Sequence, residues 1–162
     1  MKSILVPIDC SAATRHVLDL AGQVAGAFKA EIHLVYVKEV APVVPPSAFG
    51  YGVAGMPELT PMSSPTIPIV APVPLPENES YKLKLDGWQK ELQQAGLKVT
   101  LHEPSGDIVE EILRVADESN TDLIVMGRHG HGAMYNLLVG GVTEGVLKRS
   151  VRPVLLVPCS RP

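Results

Sequence analysis

The chain has 162 residues, a net charge of −3 and 46% hydrophobic residues, long enough for one substantial core. A pI near 5.9 without any basic cluster excludes the electrostatic footprint of a nucleic-acid binder, and the interspersed charges read as a solvated surface. No apolar run approaches the roughly 18 residues that would span a membrane, and the opening MKSILVPID is too short an apolar run for a signal peptide.

Two cysteines, Cys10 and Cys159, lack metal-ligand spacing and read as free thiols of a cytoplasmic protein. Residues 4–8 form a continuous apolar run, the pattern of a strand buried on both faces. Asp9-Cys10-Ser11 follows, with Ser11 the expected N-cap of a helix whose apolar stripe is Val17, Ala21, Val24 and Phe28. Residues 32–37 are a second strand, rich in β-branched side chains; His33 within it carries no assigned role. The segment 41–79 holds ten of the fifteen prolines, which excludes a helix or central strand there. Its length marks it as an insertion. It is either a plain surface excursion or, through apolar residues such as Phe49, Tyr51 and Ile67, a lid or protein-docking arm.

Helical spacing resumes with Tyr81, Leu85, Trp88, Leu92 and Ala95, closed by Gly96 at the C′ position. Leu97, Val99 and Leu101 alternate with polar residues, as in a half-exposed strand suited to a sheet edge. Gly106-Asp107 opens a helix with Ile108, Ile112, Val115 and Ala116 inward, and Asp107 suits its positive N-terminal end. Residues 122–126 are a fourth strand, 143–150 the last helix, and 154–157 a fifth strand. Strands alternating with helices predict an open parallel sheet of five strands, Rossmann-like, with helices on both faces. The fifth strand is apolar throughout. A free edge of that kind invites aggregation, so a second copy of the chain paired there across a two-fold axis is expected.

Between the fourth strand and the last helix lies a glycine-rich loop. Six of the fourteen glycines fall within residues 127–152, which suggests a cradle for an anion such as phosphate. Ligands of open α/β sheets sit beyond the carboxyl ends of strands where the winding reverses. If the first and fourth strands are neighbours, Asp9 and this loop face one crevice, where Asp9 accepts hydrogen bonds from ribose hydroxyls or an adenine amine. The bland alternative for Asp9 is an acid at a helix N-terminus. Other nucleotide motifs fail by position: no G-x-G-x-x-G follows the first strand, and no G-x-x-x-x-G-K-[ST] occurs. His129 and His131 without a further ligand cluster read as exposed loop side chains.

The spacing Gly127-x2-Gly130-x9-Gly140-Gly141 resembles the G-x2-G-x9-G-[ST] motif of the nucleotide-binding universal stress proteins. The resemblance runs along nearly the whole chain, through ILVPID, Tyr36-Val37, Gly106-Asp107, TDLIVMGRHG, LLVGGVTEGVLKRS and PVLLVP. It implies strand order 3-2-1-4-5, with Pro7, Asp9 and Val37 lining an adenine and ribose site beside Met126 and Gly127. It also implies Gly130, Gly140, Gly141, Val142 and Thr143 around the phosphates of ATP, ADP or AMP. Asp9 is separately a candidate ligand for a Mg ion. Dimers through the fifth strand, 154–157, are implied as well.

The chain departs from the motif at Gly141, where the family has Ser or Thr. A hydrogen bond to a charged group is worth roughly 1.5–3 kcal/mol, or one to two decades in affinity. Thr143 is the candidate replacement for that hydroxyl, and Arg128, His129 and His131 are candidate compensating donors. Three functions follow. The first is a cytoplasmic, dimeric regulatory protein that binds adenine nucleotide in stress response or signalling. The second is an interaction module acting through segment 41–79 without nucleotide. The third is a slow ATPase or a phosphotransferase, for which Glu144 and His129 are available side chains but form no compelling constellation.

Overall fold

The computed structural model describes residues 1–11, 13–38, 79–128 and 141–158. The elements run β1 (Ser3–Pro7), α1 (Thr14–Phe28), β2 (Glu31–Val35), α2 (Glu79–Gln94), β3 (Val99–His102), α3 (Ile108–Glu118), β4 (Leu123–Gly127), α4 (Gly141–Arg149) and β5 (Val154–Val157). The strands form one sheet in the order β3-β2-β1-β4-β5, and every pairing is parallel. Both the sheet order and the edge position expected for the third strand are therefore observed. The fifth strand is the opposite edge.

The continuous apolar runs become intelligible once the two faces are separated by the period of two. Ile4, Val6, Ile32 and Leu34 pack with Val17, Leu18, Ala21 and Ala25 of α1 and Leu85 of α2. Leu5, Val35, Ile124 and Met126 pack on the other face with Ile112, Val115 and Ala116 of α3 and Val146 of α4. Each fully buried Leu, Ile or Val contributes about 1.5–3 kcal/mol relative to exposure, so both faces resist loss of their helices.

Three positions whose spacing points inward are exposed, and all three lie at helix ends. Phe28, expected on the α1 stripe, is 58% exposed in the last residue of the helix. Tyr81 and Ala95, expected inward, lie in the first turn of α2 and just past its last residue, and both are exposed. In each case the stripe continues but the sheet beneath does not. Leu85 is buried, and Trp88 and Leu92 pack half-buried against the same core.

The helix caps follow the sequence at Gly96 and Asp107 and depart from it at Ser11. Gly96 has φ +83°, its amide donates to the Gln93 carbonyl (2.9 Å), and the Leu97 amide donates to that of Leu92 (3.2 Å). This is the paired pattern of a Schellman cap. Lys29 and Asn120 close α1 and α3 in the same way, at φ 55° and 46°. Asp107 caps α3 by accepting the Glu110 amide at 3.0 Å. Ser11 is not the N-cap of α1; that position is Ala13, which has no side-chain cap.

Helices α3 and α4 meet at Gly145. A Cβ there would lie 2.8 Å from Val109 Cγ2 and 3.3 Å from Cγ1, so rotating the valine does not clear the clash. Gly145→Ala gains about 1 kcal/mol of helix propensity but incurs roughly 1–3 kcal/mol of overpacking. A net loss of stability is expected in chemical denaturation, reversed by adding Val109→Ala. An unchanged midpoint for Gly145→Ala would contradict this packing.

On the α3 face the β2–β3 pairing brings His33 and His102 together, with Nδ1 and Nε2 3.0 Å apart. Burial pushes both imidazoles below their ordinary value near 6.5. Glu31 opposes this at His33; at His102 the His33 ring and Arg114 reinforce it and Glu118 opposes it. The unfolded chain therefore binds protons that the folded chain refuses. Stability contributed above pH 6.5 is lost as pH falls through the lowered folded-state values. Thermal scans should show Tm falling on acidification from pH 7.5 to 5, with a flatter dependence when both histidines are replaced by glutamine. Equal slopes in the two proteins would contradict the assignment.

Candidate functional site

The carboxyl end of β1 is fixed by its neighbours. Pro7 pairs with Val35, and the Ile8 amide donates to the Val35 carbonyl at 2.9 Å before the chain leaves the sheet. Half-buried Asp9 follows, then Cys10 at φ 59°, a left-handed turn that sends the chain into α1. Asp9 Oδ1 accepts two hydrogen bonds, from the Ser11 amide (3.0 Å) and from the Thr14 hydroxyl (3.1 Å). The Ser11 hydroxyl accepts the Ala13 amide at 3.3 Å. Burial, the largest influence on Cys10, pushes its thiol up and keeps it protonated.

β4 lies directly beside β1, with Ile4 opposite Leu123 and Leu5 opposite Ile124. Its end, Gly127, pairs with Val157, and the Arg128 amide donates to the Val157 carbonyl at 3.0 Å. The first turn of α4 is tied to the same point, because the buried Thr143 hydroxyl donates to the Gly127 carbonyl at 3.0 Å. That bond occupies the hydroxyl proton, so in this rotamer Thr143 does not present it as the replacement donor expected from the sequence. Gly141 is exposed as the first residue of α4, and among the described residues no atom lies within 4 Å of a Cβ placed there.

The fold thus brings Pro7, Asp9, Val37, Met126, Gly127 and Arg128 to the carboxyl edge of three adjacent strands, with Gly141, Val142 and Thr143 docked against it. Val37 lies past the end of β2 rather than within it, and with Val142 packs half-buried against the core layer that contains Met126. His129, Gly130, His131 and Gly140 lie outside the described residues, as does segment 41–79 apart from Glu79, the first residue of α2. Glu144 points along the outside of α4, paired with Lys148 at 2.7 Å, and that hydrogen bond holds its carboxyl below the usual range. Among the described residues no three His, Cys, Asp or Glu side chains gather as a metal site, and no helix is long and apolar enough to cross a membrane.

Two threonines escaped the sequence reading: Thr14, buried and bonded to Asp9, and the structural use of Thr143. The available signal was a hydroxyl residue within an apolar helix stripe.

An open parallel sheet with the order β3-β2-β1-β4-β5 defines a doubly wound α/β protein, a class whose ligands sit beyond the carboxyl ends of the strands at the switch point. The sequence model of the Universal stress protein family matches residues 1–158, and the chain belongs to that family.

Universal stress protein A homolog 1 of Coxiella burnetii is 30% identical over 161 residues, covering 96% of this chain and 95% of that protein. Universal stress protein MJ0577 of Methanocaldococcus jannaschii is 40% identical over 79 residues, an alignment spanning 49% of each protein. The solved structure of MJ0577 superposes with a TM-score of 0.70 at 27% identity, covering 99% of this chain and 98% of that one. A universal stress protein solved in complex with cAMP shares the fold at a TM-score of 0.64 and 22% identity, covering 98% of both chains. The Archaeoglobus fulgidus protein in complex with dAMP does so at 0.59 and 17%, covering 96% of this chain and 97% of that one.

Proposed function

We propose that this chain is a regulatory adenine-nucleotide-binding protein whose crevice lies between Asp9 and the N-terminus of α4. The observation that carries the reading is the adjacency of β1 and β4, which sets a carboxylate opposite a helix N-terminus at one sheet edge. Pro7, Asp9 and Val37 take the adenine and ribose, with Met126 and Gly127 as the floor. The phosphates meet the α4 N-terminus at Gly141, Val142 and Thr143, where first-turn amides and the helix dipole favour anions. Arg128, His129, Gly130 and Gly140 complete the phosphate wall. The complexes of relatives with cAMP and dAMP support adenine as the base.

ATP, ADP or AMP is the proposed ligand. A Mg ion fits only as a phosphate-bound ion reached by the single carboxylate of Asp9, as Mg often keeps most of its waters. The chain is proposed to act as one domain, 1–162, carrying an insertion at 41–79, in the cytoplasm, in stress response or signalling. Strand β5 is an edge with Val154, Leu155 and Leu156 half-buried, which supports a homodimer across 154–157; sedimentation showing only monomer would remove that element.

Gly141 favours the second reading, an interaction module that works through segment 41–79 without nucleotide. Slow ATP hydrolysis ranks last, since Glu144 is engaged with Lys148 on the helix exterior. Mass spectrometry of small molecules released from the purified protein tests the proposal, and a phosphate-release assay tests hydrolysis. Adenine nucleotide in the released fraction supports the first reading; its absence even after incubation with ATP counts against it.

A further inference from the structure

The Asp9 carboxylate sits on the turn between β1 and α1 and is held from within that turn. Two donors converge on one of its oxygens: the Ser11 amide at 3.0 Å and the Thr14 hydroxyl at 3.1 Å. The first bond is local, an Asx turn that an acid in this place makes by itself. The second is different. Thr14 is only 2% exposed, begins α1, and is anchored by its own amide to the Ser11 carbonyl at 3.1 Å. Its hydroxyl therefore approaches Asp9 from a rigid element and fixes the plane of the carboxylate. Val17 and Leu18 on the next turn are buried against the sheet, so the anchor does not shift with the loop.

We infer that Thr14 is a positioning residue that makes the crevice read the ribose hydroxyls. A carboxylate is an acceptor only, and the sugar's 2′- and 3′-hydroxyls are the donors that distinguish a ribonucleotide from its dideoxy counterpart. A site built to receive such a donor discriminates against an analogue lacking it, provided the acceptor is held in place before binding. Without the Thr14 bond the carboxylate retains its charge but loses the donor that reaches it from the rigid helix. The contact with sugar then weakens while contacts to base and phosphate remain.

This inference rests on the proposed nucleotide site. Its test is calorimetric titration of the wild type, Thr14→Val, Thr14→Ser and Asp9→Asn with ATP and with 2′,3′-dideoxy-ATP. Wild type should favour ATP by about tenfold or more. Thr14→Val should lose about tenfold in ATP affinity while its affinity for the dideoxy compound stays within about twofold, and Thr14→Ser should restore the preference. In the Asp9→Asn background Thr14→Val should have little further effect. Thr14→Ala removes the same hydroxyl with a smaller side chain and is measured in parallel, so a folding failure of one variant leaves the other to decide. Equal weakening of both nucleotides would reduce Thr14 to a structural role and overturn the inference. So would a wild type that binds both alike. Binding of neither nucleotide by wild type would instead overturn the site itself.

Discussion

Asp9→Asn is expected to weaken adenine-nucleotide binding about ten- to a hundredfold with little change in thermal stability. Asparagine keeps a carbonyl oxygen for the Ser11 amide and the Thr14 hydroxyl, the two bonds that shape the turn. It removes the charge and turns one acceptor into a donor, and a hydrogen bond to a charged group is worth roughly 1.5–3 kcal/mol. Asp9→Ala is the blunter variant. It deletes the acceptor for both internal donors, one of them the hydroxyl of buried Thr14, and leaving a buried donor unsatisfied costs about 1–3 kcal/mol. Alanine should therefore lose affinity and stability together, and asparagine mainly affinity. Calorimetry and thermal denaturation of both variants separate the effects. An asparagine variant with wild-type affinity would mean that Asp9 merely shapes the turn into α1.

Gly141→Ser is expected to act in the opposite direction, tightening ATP binding about tenfold or more with a smaller effect on AMP. The position opens α4, and no described atom lies within 4 Å of the new Cβ, so the side chain enters without repacking any described residue. Serine is also favoured over most residues at helix starts, because its oxygen satisfies amides there. That competing use is the main risk to the gain, since a hydroxyl turned back on its own helix cannot donate to phosphate. The comparison of ATP with AMP resolves it: a shared gain would indicate helix stabilisation, and a gain confined to ATP would indicate the terminal phosphates. Thr143 does not already fill this role, because its hydroxyl is directed at the Gly127 carbonyl.

Much of this architecture was readable because apolar periodicity reports burial directly. The runs at 4–8 and 154–157 mark strands, and the alternation at Val99, Thr100 and Leu101 correctly marks an edge. The same logic failed at Phe28 and Tyr81, because periodicity knows the face of a helix but not where the sheet under it stops. Asp9 and Gly127 could be placed in one crevice because strand ends are local features and the family resemblance implied strand order. The bonds from Thr14 to Asp9 and from Thr143 to Gly127 were not legible, since each depends on a rotamer in the assembled fold. The His33–His102 pair depends on the register between β2 and β3, which neither strand reveals alone. Gly145 reads as an ordinary helical glycine until Val109 of α3 is set against it.

The central claim is that the crevice between Asp9 and the α4 N-terminus binds an adenine nucleotide. Calorimetric titration of the purified full chain with AMP, ADP, ATP and cAMP, with and without Mg, tests it most directly. The account predicts saturable binding of at least one of these nucleotides at one site per chain, weakened by Asp9→Asn. Titrations without saturable heat for any of the four, on protein confirmed free of bound nucleotide, would contradict it.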